Sequence, residues 1–292
     1  MSTAPPIDDD APLRPRRPDR TRIGQSAFRR TRGARAKGQA RWAGWSLRLL
    51  PWLAIVVVWY AIRGFGLVSP GLLPLPQDIV ATAWDRLLNG ELPRHVLAST
   101  GRVLAGVAIG TTVAVPVGFA LGRYAAVRLT LDPLINFFRA LPPIALVPLV
   151  IVYLGIGEAA KVFVLSFSAF FAAVIVLYEG IAQMPPIYGH VARTLGASQG
   201  EIFRKLVLPY ALPHILTALR VALGVTWATL VAAELVAAQA GLGAMIQMAA
   251  SFFQLDVIYV GIITIGLTAL SMDYALRRLS RRLLSWQERV PS

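Results

Sequence analysis

Six stretches of this chain are apolar over about twenty residues each, and they restrict its fold more than any other feature. They run over 49–68, 99–122, 134–154, 162–178, 215–236 and 257–276. In hydrocarbon every backbone N–H and C=O must find its partner within the protein. A helix satisfies that condition, and about 20 residues at roughly 1.5 Å rise cross about 30 Å of lipid. The sequence therefore predicts an all-α, polytopic membrane protein with six transmembrane helices. Its composition agrees, with 56% hydrophobic residues against 15% charged. It has no cysteine, which excludes disulfides, thiolate metal sites and cysteine nucleophiles.

The runs differ in ways that matter for packing. In the first, Trp52, Trp59 and Tyr60 suit the membrane interface. The segment 70–98 reads as amphipathic, with Ile79, Val80, Ala83, Leu87 and Leu88 on one side. The second run carries Gly106, Gly110 and Gly118, whose small size lets helices approach closely, and Pro116 is expected to break it. Arg123 and Arg128 read as a short loop. Pro142, Pro143 and Pro148 predict a kinked, internal third span. Residues 155–161 read as a tight turn, and 237–256 as a glycine-containing loop with room for a short re-entrant helix.

Charge orients the spans. The net charge is +14, and much of it lies in the first fifty residues and at the C-terminal end. Six spans put both termini on one side, and the basic flanks make that side cytoplasmic. Arg123, Arg128, Arg193, Arg204 and Lys205 then fall inside, while the outer loops carry Glu91, Glu158 and Asp256. Residues 1–45, rich in Pro, Arg, Gly and Ala, read as a disordered basic cytoplasmic arm preceding a membrane domain over 46–292. The arm's arginines can bind RNA, but positive-inside orientation and attraction to membrane lipid explain them without nucleic acid, and no nucleic-acid partner is expected.

One stretch, 185–213, interrupts the apolar pattern with polar and basic residues. Pro185 and Pro186 suit a helix start, where the missing N–H costs little. Ile187, Tyr188, Val191, Ala192 and Leu195 fall on one face, with His190, Arg193 and Thr194 elsewhere. Gly196 is a stop. Ser198 and Glu201 form a capping box that opens a second helix, which Pro209 is expected to end. The stretch is thus a helical hairpin, either a passive link between spans or a docking element for a soluble partner.

The chemistry of catalysis is hard to find. There is no GxxxxGK[ST] phosphate loop and no HExxH; the Gly155-x-Gly157 and Gly241-x-Gly243 pairs lack the lysine. His95, His190 and His214 are scattered, and no carboxylates are paired for acid–base work. The sequence gives no ground for an enzyme or for a metal or cofactor bound by this chain. Ionisable groups inside the runs are Arg102, Arg139, Arg220, Glu234 and Asp273. Such groups usually face a bundle interior. Arg139 and Glu234, with Thr226, Trp227 and Thr229, are candidates to line a translocation path. Structural pairing or snorkelling is the alternative for the ions, and helix contact for the threonines.

The run ARTLGAS…LVLPYALP resembles the cytoplasmic Glu-Ala-Ala signature of bacterial ABC-importer permeases. Gly196 and Leu206-Val207-Leu208-Pro209 match in register, while the Glu-Ala-Ala positions hold His190, Val191 and Ala192. Over 73–286, the segments LPLPQDIV, STGRVLAG, LDPLINFFRALPPIALVPLVIVYLGIGEAAK and RVALGVTWATLVAAELVAAQAGLGAMI look like the nitrate/sulfonate/taurine/bicarbonate branch, closest to taurine permeases. The resemblance implies a multi-pass protein of the bacterial plasma membrane, a homodimer around a central pathway. It also implies two ATPase subunits, which hold ATP and Mg, and an extracytoplasmic solute-binding protein. The ATPase-coupling residues it implies are His190, Ala192, Arg193, Thr194, Leu195, Gly196, Ala197, Ser198, Glu201 and Pro209. A secondary transporter or channel is the competing class, but it calls for coupled mid-membrane ions or an inverted repeat, and neither is evident.

Overall fold

The computed structural model describes residues 50–69 and 71–284, and those residues are helical with short connections. The expected arm over 1–45 lies outside the described residues. A first unit contributes α1, Leu50–Gly64. It is shorter than the run 49–68 suggested: the chain turns at Phe65 and Gly66, so the described helix is only about 22 Å long.

The second unit holds α2 (Pro76–Leu88), α3 (Glu91–Arg123), α4 (Ala125–Ala140), α5 (Pro143–Leu154) and α6 (Glu158–Ala182). Then come α7 (Pro186–Thr194), α8 (Gln199–Ile202), a π-helical turn (Phe203–Val207), α9 (Leu208–Ala237), α10 (Leu242–Ser251) and α11 (Leu255–Leu283). Among the described residues four helical stretches are long and apolar enough to cross a membrane. They are α3, α6, the continuous stretch Gln199–Leu235, and α11; α4 with α5 makes a fifth if the bent pair counts as one span. That is fewer than the six expected from apolar runs.

The core is a parallel pair. Gly106, Gly110, Ala114, Gly118 and Gly122 recur every fourth residue along α3. Facing them on α6 are Leu165, Ala169, Ala173, Leu177 and Ile181, also every fourth residue and all buried. A methyl group on Gly106 would lie 2.6 Å from Leu165 Cβ, on Gly118 2.7 Å from Leu177 Cβ, and on Gly122 2.7 Å from Ile181 Cγ2. At Gly110 it would meet the Ser166 carbonyl at 2.5 Å and the Phe170 nitrogen at 2.8 Å. The glycines thus bring one backbone against the other, which maximises dispersion contact where lipid supplies no hydrophobic drive. Then α9 returns against α6: a methyl group on Gly180 would meet the His214 ring at 2.3 Å.

Several sequence-based expectations need correcting. The third span is two helices crossing at 95°. Consecutive prolines force Leu141 and Pro142 into extended backbone, with ψ of 124° at both, so no helix continues through them. By contrast α3 passes through Pro116 unbroken. Arg128 belongs to α4 rather than to a loop, and Glu158 to Lys161 form the first turn of α6 rather than part of a tight turn. The shared side of α2 is left open: Ile79 is buried, but Val80, Leu87 and Leu88 are exposed. The second limb of the hairpin does not end at Pro209. It runs on through the π-helical turn into α9.

Gly110→Ala should separate α3 from α6, because the added carbon meets backbone rather than a movable side chain. We expect a loss of about 1–3 kcal/mol, measured as a lower midpoint in thermal unfolding of the detergent-purified protein. Gly101→Ala, on the open side of the same helix with nothing within 4 Å, should leave the midpoint nearly unchanged.

Candidate functional site

The two limbs of the hairpin meet at a turn whose hydrogen bonds are fully specified. Leu195 caps α7, and Gly196 follows with φ of 80°, a conformation that suits glycine. The Ala197 N–H donates to the Ala192 carbonyl at 3.0 Å and the Gly196 N–H to Arg193 at 2.9 Å, closing the helix end. Ser198 then caps α8: its Oγ accepts from the Glu201 N–H at 3.3 Å, and its own N–H donates to Glu201 Oε2 at 3.1 Å. Lys205 pairs with Glu201 at 3.0 Å on the exposed side.

No residue of α7 is buried. Ile187, Tyr188, Val191 and Leu195 share a face and are all exposed, Leu195 at 81%. A groove of about 560 Å³ lies between the limbs, with Tyr188, Val191, Leu195 and Leu206 among its walls. The remaining hairpin candidates surround it: Ala192, Gly196, Ala197 and Glu201 also line the groove, while His190, Arg193 and Thr194 sit on the exposed rest of α7. Arg193 and Thr194 donate back to the carbonyls of Gly189 and His190. Pro209 stands apart in the first turn of α9.

At the opposite end of the α3–α6 pair lies a polar cluster in which Arg102 and Glu234 are buried and the Glu158 side chain is 61% exposed. Arg102 of α3 donates from Nε and Nη2 to both oxygens of Glu158, at 2.6 and 2.7 Å. Its Nη1 donates to Glu234 Oε1 and to the Ala240 carbonyl, each at 2.6 Å. Glu234 is fully enclosed and also accepts from Ser99 Oγ and from the Gly243 N–H, both at 2.8 Å. The Leu242 N–H donates to Ser99 Oγ and the Gly241 N–H to His95 Nδ1. Three successive N–H groups at the start of α10 are thereby satisfied by side chains of α3 and α9. Lys161 adds a contact to Glu158 at 3.0 Å. Gly241 has to be glycine: its φ is 135°, and a methyl group would lie 2.3 Å from Glu234 Oε1.

The pathway candidates separate. Thr226, Trp227 and Thr229 lie within one turn of α9 and are buried. Thr229 donates to the Val225 carbonyl, while Thr226 Oγ1 and Trp227 Nε1 have no partner among the described residues. Glu234 is committed to the polar cluster. Arg139 is exposed near the end of α4 and makes no ion pair among the described residues. Ser99, His95, Glu158 and Lys161 were missed by sequence reasoning. The available signal was the presence of Arg102 and Glu234 in two apolar runs, which in lipid demand each other or a polar surrounding.

A multi-pass, all-helical membrane protein with an exposed helical hairpin is the class these features define. The model of the family described as "Binding-protein-dependent transport system inner membrane component" matches residues 106–285. A "Probable ABC transporter permease protein" of Brucella abortus (strain 2308) is 42% identical over 251 residues, covering 86% of this chain and 99% of that protein. The taurine transport system permease protein TauC of Escherichia coli (strain K12) is 36% identical over 241 residues, covering 81% and 88%. A solved structure of the MetNI methionine ABC transporter, in an inward-facing conformation, superposes with a TM-score of 0.54 at 22% identity, covering 65% of this chain and 97% of that one; it shows the shared fold. The chain belongs to the binding-protein-dependent permease family of ABC transporters.

Glu234→Gln would set an amide NH₂ among three donors and remove the buried negative charge that faces the Arg102 guanidinium. The expected loss is about 3–5 kcal/mol, read as a collapse of monodisperse protein in size-exclusion chromatography or a large fall in unfolding midpoint. Lys205→Ala removes a pair whose side chains are 76% and 48% exposed. It should change the midpoint by less than about 1 kcal/mol.

Proposed function

We propose that this chain is the membrane-spanning subunit of an ATP-driven importer for a small organic anion, taurine or another sulfonate. Two copies line one pathway, two ATPase subunits dock on their hairpins, and a solute-binding protein delivers substrate from the far side. Both termini are cytoplasmic. Family membership supports the transport role, and the similarity to TauC supports the substrate class.

The observation that carries the docking assignment is the open apolar face of α7. Ile187, Tyr188, Val191 and Leu195 are about half exposed or more, on a hairpin whose turn is closed by a capping box. A face of that kind suits a groove on a soluble partner. It is also well placed to do work, because the second limb is continuous with the helix that carries Thr226, Trp227 and Thr229. When the ATPase pair closes, a docked hairpin moves with it, and the rod from Gln199 onward carries that displacement to the pathway. Thr226 Oγ1 and Trp227 Nε1 are buried donors without a partner among the described residues, so they are the groups we assign to the substrate's oxygens.

Leu195→Asp tests the docking. The residue is exposed, so the fold should tolerate it, while loss of a central apolar contact should cost about 2 kcal/mol, roughly thirtyfold in affinity for the ATPase. Co-purification of the ATPase and ATP-dependent uptake of taurine into proteoliposomes should both fall, with the unfolding midpoint unchanged. Uptake by the chain without any ATPase would overturn the reading. Uptake of nitrate or bicarbonate in preference to taurine and alkanesulfonates would overturn the substrate class alone.

A further inference from the structure

We propose that the groove between α9 and α11 binds the phosphate of an anionic lipid headgroup. The groove has a volume of about 480 Å³, within the range of small-molecule sites. Arg220, Arg277, Arg281 and Tyr274 line it, over apolar Pro213 and Leu216. Asp273 arranges two of these cations from outside the lining. Its Oδ1 accepts from Arg220 Nε at 2.7 Å and its Oδ2 from Arg277 Nε at 2.7 Å. One carboxylate thus holds Arg220 by its Nε alone and Arg277 by both Nε and Nη2. The terminal nitrogens of Arg220 are left without a partner among the described residues, as is the whole of Arg281. Three cations against one anion leave a surplus of positive charge around a recess, the arrangement that takes up phosphate oxygens.

The source of the phosphate follows from the shape of α11. Leu267, Leu270, Tyr274, Arg277 and Arg281 recur at intervals of three or four residues and so share one helical face. Leu267 and Leu270 are 63% and 60% exposed. Along that face the surface passes from apolar, through an aromatic ring, to two arginines. The sequence matches the acyl chain, ester region and phosphate of a lipid lying beside the helix. A free phosphate would have no use for the apolar part. The groove sits at the same end of the bundle as the hairpin, since α9 begins and α11 ends there. The proposal rests on the membrane-spanning reading, not on the substrate or on ATPase docking.

The test exchanges the purified full chain into micelles holding equal phosphatidylglycerol and phosphatidylethanolamine and measures retained lipid by mass spectrometry. Wild type should retain phosphatidylglycerol in excess. Arg281→Gln should cut that excess about fivefold, Arg281→Lys should keep most of it, and Arg282→Gln, outside the groove, should leave it intact. Arg281 makes no ion pair among the described residues, so the unfolding midpoint should not move. Equal retention of both lipids by wild type, or an equal loss in Arg282→Gln, would overturn the proposal. So would displacement of the lipid by excess inorganic phosphate, which would mark a site for free anions. If Arg281→Gln leaves lipid unchanged but weakens ATPase co-purification, the groove is a protein contact instead.

Discussion

Everything in the second unit is referred to the contact between α3 and α6. It is a close approach between two backbones, set by five small residues on one helix and five apolar residues on the other at the same spacing. In water such a contact would be driven largely by removal of apolar surface from solvent. In lipid that drive is absent, and what remains is dispersion between well-fitted surfaces, which falls away sharply with distance. The pair tolerates little slack for that reason. Its parallel direction also has a consequence: the loops that follow α3 and α6 leave from one end, and the segments that precede them enter at the other.

The two ends are built on opposite physical terms. At one, the charges of Arg102 and Glu234 are taken out of solvent, while Glu158 stays partly exposed. Arg102 meets two carboxylates, Glu158 and Glu234, and the remaining hydrogen-bonding capacity of Glu234 is met by Ser99 and the backbone of Gly243. Coulomb attraction there must offset a large desolvation cost, and it can do so only because almost every lone pair and N–H is engaged. The cluster ties α3, α6, α9 and the start of α10 together. At the other end, apolar surface is left open on α7 and charge is left in solvent.

Much of this was legible in the sequence. The hairpin turn was, because its signals are local: proline at the start, glycine where φ is positive, and a serine and glutamate three apart. The i+4 glycines of α3 announced close packing, but their partners on α6 are ordinary apolar residues and carried no signal of their own. The bend at Leu141–Pro142 was read as a kink, since one proline and two prolines look alike until the extended backbone of Leu141 is seen. The polar cluster needs three regions far apart in the chain, around 95–102, 158–161 and 234–243, and only its two most costly members stood out. Glu158 was read as a loop residue because it begins a helix at the boundary of an apolar run.

Pro209 shows why local rules gave the wrong stop. In an α-helix its ring would strike the carbonyl four residues back, that of Lys205, and its missing N–H would leave that carbonyl unpaired. The preceding turn, however, is π-helical, with the Leu208 N–H donating to the Phe203 carbonyl five residues back. Widening the turn by one residue shifts the carbonyls ahead of the proline out of α register, so the steric conflict is relieved within the helix rather than by ending it. Ile202 just before this turn and Val207 at its end are buried, and Phe119 of α3 packs against Phe203 with ring centres 5.6 Å apart, which holds the irregular turn in place. The result is one helical rod from the capping box at Ser198 to the polar cluster at Glu234. A proline that ended the helix would have left a joint between the hairpin and the span. The π-helical turn removes that joint, and the hairpin's second limb and the segment carrying Trp227 are one continuous helical stretch.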